Sequence, residues 1–121
     1  MIHIFYWGSA MEGRGLDALR DELRQFAAAR DWEQFHTPKN LAMALIVEAA
    51  ELVEQFQWLT PEQSQKLEPE KLEAVRQECA DILIYLTRFA DMLGIDLLDA
   101  ARDKLVINAA KYPVQNKLKN D

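Results

Sequence analysis

Four acidic residues carry the chemistry that this sequence offers first. Glu48 and Glu51 stand three apart in "LIVEAAELVEQFQW", and Glu78 and Asp81 stand three apart in "ECADILIYL". At roughly 100° per residue, a helix through the first stretch puts Leu41, Leu45, Ala49, Leu52 and Phe56 on one face. Glu48 and Glu51 lie along one margin of that face, while Glu54 points to the other side and is read as solvated. The second stretch repeats the plan. Val75, Cys79, Ile82, Leu86, Phe89 and Leu93 form an apolar face, with Glu78 and Asp81 at its margin. Residues three apart on a helix have β-carbons ~5–6 Å from each other. Two such pairs on packed helices gather four carboxyl groups. Like charges that close, and partly buried, raise one another's pKa. A hard divalent cation relieves the conflict, magnesium first and manganese second, because both accept oxygen ligands. A single E-x-x-E is most often a solvated flank. Its repetition on two consecutive helices leaves a metal site and a solvated flank evenly balanced.

Other metal and nucleophile chemistries find no residues. His3 and His36 are the only histidines, and neither falls three after a glutamate, as a di-iron bundle would need. One cysteine and two histidines make a poor zinc set. No glycine lies between Gly15 and Gly94, so no phosphate-binding G-x-x-x-x-G-K-[ST] loop exists.

The elements that must position these acids follow from the punctuation. Pro38, Pro61, Pro69, Pro113 and the four glycines leave uninterrupted windows at 16–37, 39–60, 70–93 and 95–112. Each suits a helix of several turns. Thr37-Pro38 reads as an N-cap followed by proline at the first helical position. Thr60-Pro61-Glu62-Gln63 reads as a capping box opening a short helix or turn. Pro69 opens a long helix, Gly94 suits its C-cap and Asp96 caps the next. Leu16–Arg30 and Leu97–Tyr112 complete the set. The expected fold is all-α, a four-helix bundle in one domain over residues 16–113, with an N-terminal segment 1–15 and a tail 114–121. Residues 2–7, IHIFYW, are read as an edge segment, a docking arm or a cloning remnant rather than a signal peptide.

Composition sets the boundaries. The 121 residues are 50% hydrophobic and carry a net charge of −6, which argues against nucleic-acid or anionic-membrane binding. No apolar run approaches the ~18 residues of a membrane span. With Cys79 alone, no intrachain disulfide forms, and a reducing, cytoplasmic compartment fits.

Together, "RDWEQFHTPKNL", "EAAELVEQFQW", "ECADILIYL" and "DKLVINAAKYP" resemble, in order and spacing, the MazG-type all-α nucleoside triphosphate pyrophosphohydrolases, in particular their dCTP pyrophosphatase branch. The resemblance runs from about Leu16 to Pro113. It departs at Val47, where many MazG-type proteins carry a further glutamate. It implies that Glu48, Glu51, Glu78 and Asp81 are magnesium ligands. It also implies hydrolysis between the α- and β-phosphorus atoms, releasing a nucleoside monophosphate and pyrophosphate in nucleotide-pool house-cleaning. A homodimer or homotetramer is implied, with sites near subunit contacts. Metal ions would neutralise and align the triphosphate, and Glu51 is the candidate to accept the proton of the attacking water. Lys104, Asn108 and Lys111 share one side of the last helix. Lys104 and Asn108 match family positions and hold phosphate or sugar oxygens, or else form a solvated face.

Trp32, His36, Trp58 and Tyr85 lie near element ends or beside the acidic margin. They offer stacking faces for a base, or Trp32 and Trp58 plug the core. His36 donates to a pyrimidine or braces the loop before Thr37. Tyr112 packs the helix end or contacts nucleotide. Phe26, Phe35, Phe56 and Phe89 are expected in the core, and Cys79 is expected as a small buried hydrophobe. Competing readings are a helical dimerising interaction module and a nucleotide sensor that binds without hydrolysis.

Overall fold

A computed structural model of the protein describes residues 15–115; the N-terminal residues 1–14, which include IHIFYW and His3, and the last six residues lie outside them. Four long helices and one short one form: α1 (Leu16–Ala29), α2 (Pro38–Glu54), α3 (Pro61–Ser64), α4 (Pro69–Met92) and α5 (Leu97–Lys111). No strand occurs among the described residues.

The helix ends use the cap chemistry written in the sequence. Thr37 Oγ1 accepts from the Asn40 backbone N–H at 3.2 Å, with Pro38 at the first helical position. Thr60 and Gln63 make the reciprocal capping box, at 3.1 and 2.9 Å. The Asp96 side chain accepts from Asp99 N–H at 3.0 Å. Helix α4 stops at Gly94, whose φ of 68° lies in the left-handed region. Ile95 N–H then reaches back to the Ala90 carbonyl and Gly94 N–H to that of Asp91, a Schellman motif. Helix α1 ends the same way around Asp31, φ 56°, with Trp32 N–H bonded to the Ala27 carbonyl at 2.9 Å. That motif turns the chain so that Trp32 and His36 fold back beside α1.

Helix α4 is the hub, packed closely against α2 and against α1. Arg24 on α1 makes a two-pronged ion pair with Asp91 on α4, its Nε donating to Oδ2 at 2.7 Å. The Lys71 ammonium at the start of α4 donates to the Gln55 carbonyl at the end of α2, 3.0 Å away. Helix α5 forms no comparably close pairing. The fully buried apolar residues among those described are few: Ala27, Leu41 and Ala90. Large apolar side chains remain open to solvent on α2 (Ile46, Val47, Val53) and on α5 (Leu105, Val106, Ile107).

Two expectations about the core need correction. Phe35 is exposed, because the turn after α1 carries it outward rather than under a helix. Cys79 is exposed as well, because α4 turns that part of its apolar face away from α1 and α2. Phe26, Phe56 and Phe89 are half-buried. No helix among the described residues is long and apolar enough to cross a membrane.

Candidate metal and nucleotide site

The packing of α2 on α4 brings the acids together. One carboxylate oxygen each from Glu48, Glu78 and Asp81 lie within 4.8 Å of one another. Glu51 stands beside them, within hydrogen-bonding range of Glu48 and Glu78. Partial burial, then Glu51, then Asp81, push the Glu48 carboxyl up to about 7. Burial and the charges of Glu51, Asp81 and Glu54 also raise Glu78. Glu54 is thus exposed as expected, yet its charge still reaches the cluster.

No ion pair among the described residues involves Glu48, Glu51, Glu78 or Asp81. One Glu78 oxygen, Oε2, is buried and has no hydrogen-bond partner. An unsatisfied buried acceptor is costly, and a cation would satisfy it. The donor set fits a hard divalent ion: carboxylate oxygens, no sulfur and no imidazole.

A cavity of about 460 Å³ opens between α1 and α4, within the size range of small-molecule pockets. Phe26, Trp32, His36 and Tyr85 line it together with Asp81 and Arg88. Asp81 therefore belongs to both the acidic cluster and the cavity wall. The Phe26 and Trp32 rings meet edge to face at 5.7 Å, and Trp32 and His36 lie 6.1 Å apart. His36 is held below its ordinary pKa by burial and by the neighbouring Arg88 charge.

The structure thus assembles Glu48, Glu51, Glu78 and Asp81 at one point, and Trp32, His36 and Tyr85 at the adjoining cavity. It leaves other expected residues apart within one chain. Trp58 is 86% exposed, so it plugs no core, and it does not line the cavity. Lys104, Asn108 and Lys111 ride on α5, which packs closely on no other helix among the described residues, and they do not line the cavity either. Lys111 instead sits over the ring of Tyr112, 5.4 Å from its centroid.

Several wall residues escaped the sequence reading. Phe26 was assigned to the core yet faces the cavity, and Leu19, Glu22 and Leu23 reach it from α1. Arg88 is the most consequential. Its signal was present: Asp81, Tyr85 and Arg88 stand at four- and three-residue spacing, on one side of α4.

Residues 43–121, which include all four acids, match the MazG-like family. The chain belongs to the MazG-like family. Known proteins similar to this MazG-like chain include dCTP pyrophosphatase 1 from Bos taurus, 44% identical over 101 residues. That match covers 82% of this chain and 60% of the relative. The Homo sapiens protein of the same name is 43% identical over 100 residues, covering 81% of this chain and 59% of the relative. The chain therefore spans about three-fifths of the length of these curated relatives. Among solved structures, a pyrophosphatase from Archaeoglobus fulgidus is similar, with a TM-score of 0.79 and 37% identity. The likeness covers 84% of this chain and 95% of that one. The resemblance carried by the paired acids and their flanking motifs therefore holds at the level of family and of all-α fold.

Proposed function

We propose that this chain hydrolyses nucleoside triphosphates, with dCTP or a modified dCTP preferred, to the monophosphate and pyrophosphate. The observation that carries this reading is a cluster of carboxyls outside any ion pair, one oxygen of it buried and unsatisfied, joined through Asp81 to an aromatic-walled cavity of small-molecule size. The MazG-like membership and the activities named for the similar proteins support it.

The cavity takes the base. Phe26, Trp32 and Tyr85 supply apolar and stacking surface that favours an aromatic ring over water. His36 donates a hydrogen bond to the base edge. With the base so placed, the triphosphate lies toward the acidic end of the site. Glu48, Glu51, Glu78 and Asp81 would hold magnesium, with manganese a substitute. When bound, the metal supplies charge neutralisation for the triphosphate and a more acidic water. Glu51 accepts the proton of the attacking water, as the acid beside the tight trio rather than within it. Lys104, Asn108 and Lys111 hold phosphate or sugar oxygens once α5 is docked in a homodimer or homotetramer. Trp58 closes over the site in the same assembly.

The test is product analysis. Incubation with dCTP and magnesium is expected to yield dCMP and pyrophosphate by chromatography. Release of dCDP and orthophosphate would contradict the proposed bond. Absence of turnover across a panel of nucleoside triphosphates with magnesium or manganese would overturn the reading.

A further inference from the structure

Arg88 is the one permanently cationic group among the described residues of the cavity wall, and the hydrolytic reading gives it no task. It is 3% exposed, buried more deeply than any carboxylate of the site. Its Nε–H donates to His36 Nδ1 at 3.3 Å, and its Nη1 reaches Asp91 Oδ2 at 3.5 Å. Its Nη2 is sealed from solvent with no partner. A buried guanidinium with an unmade bond is costly. The fold does not need it to hold Asp91, because Arg24 already pairs with both oxygens of that carboxylate.

The Arg88–His36 bond has a consequence for the ring. A guanidinium only donates, so Nδ1 must carry a lone pair, and a neutral imidazole then keeps its proton on Nε2. Burial and the Arg88 charge both favour that neutral ring. We propose that Arg88 is a positioning residue for base selection: it locks His36 as the Nε2–H tautomer, so that the cavity wall presents a fixed hydrogen-bond donor. The proposal rests on the nucleotide reading of the cavity. The other charged groups on that wall are Glu22 from α1 and Asp81 from α4, both acceptors when ionised. A fixed donor set among carboxylates suits a base edge that offers both an acceptor and an amino group, as cytosine does. A 4-keto pyrimidine turns an acceptor toward the carboxylates instead, and a site built for one pattern rejects the other by leaving buried groups unpaired.

Two measurements test the lock. Imidazole nitrogen NMR of the metal-free protein reads the tautomer directly, and His36→Gln assigns the signal, since His3 is the only other histidine. The expected result is a neutral Nε2–H ring at His36 that becomes a tautomer mixture in Arg88→Met. In the same variant the dCTP-over-dUTP ratio of kcat/KM is expected to fall at least ~10-fold, with the cleaved bond unchanged. A wild-type His36 protonated on Nδ1, or an Arg88→Met protein with either the tautomer or the ratio unaltered, overturns the proposal. Should Arg88→Met fail to fold, His36→Gln and His36→Asn decide. The glutamine amide can stand in for Nε2–H and keeps the preference, whereas the shorter asparagine loses it; equal ratios overturn the lock. A wild type that hydrolyses nothing defeats the hydrolytic reading alone. The tautomer spectrum, with the melting shifts given by dCTP and dUTP, then still decides the role of Arg88.

Discussion

Glu48, raised to about 7 by burial and by the carboxyls of Glu51 and Asp81, keeps its proton where ordinary glutamates have lost theirs. A folded-state pKa above the unfolded value means that the folded protein binds the extra proton. The contribution of Glu48 to the stability of the metal-free protein is therefore greatest below the unfolded carboxyl pKa of ~4.3 and is lost as pH rises through about 7. Thermal melts in EDTA are expected to drop across that window, and magnesium is expected to restore the midpoint more at pH 8 than at pH 5. An equal magnesium effect at both values would sink the metal assignment. Glu48→Gln removes one of the crowded charges. It is expected to raise the metal-free melting midpoint while cutting turnover by at least ~100-fold, with helical circular dichroism kept. Near-full activity in that variant would exclude Glu48 as a ligand.

The elements hold these residues through their ends as much as through their faces. Both Schellman turns place a residue in the left-handed region, Asp31 after α1 and Gly94 after α4. A β-carbon at Gly94 would meet nothing within 4 Å, so the backbone angle alone sets the cost of a side chain there. Gly94→Ala is expected to destabilise by ~1 kcal/mol, and Asp31→Gly to stabilise by a few tenths to ~1 kcal/mol. Urea titrations measure both; a neutral Gly94→Ala would mean that the turn relaxes. The Asp31 turn matters for function too, because it delivers Trp32 and His36 to the cavity. These ends were legible in the sequence because caps are local: Thr37, Thr60, Gln63, Gly94 and Asp96 act on backbone groups two to five residues away. The left-handed Asp31 was not legible, because aspartate also sits comfortably in helices and ordinary turns.

At the scale of the whole molecule, one chain leaves too much apolar surface uncovered. Val106 is 72% exposed and Leu105 66%, on a helix that makes no close pairing with another helix among the described residues. Exposed apolar surface of this kind suits an interface, and a second copy of the chain is the occupant that the proposed homo-oligomer supplies. Sedimentation is expected to show a dimer or tetramer, and Leu105→Asp is expected to dissociate it and to lower turnover, because Lys104 and Asn108 share that helix. A wild-type monomer with full activity would refute this. The same incompleteness explains Cys79: its place on an apolar helical face was read correctly, but the neighbouring helices of its own chain do not cover it.

Helix positions, their caps and the pairing of acids at i and i+3 were determined by the sequence alone, because they depend on spacings within one or two turns. So was the family likeness, which is carried by residue types in order. The tertiary structure decided what those spacings could not. It set Glu48 against Glu78 and Asp81, from helices some thirty residues apart in the chain, with Glu51 beside them, and so gathered the two acidic pairs into one crowded cluster. It also turned Phe26 toward a cavity, Phe35 toward water and Arg88 under His36. Periodicity says which side of a helix is apolar. Only the packed neighbours determine whether that side meets a core, a ligand or a second chain.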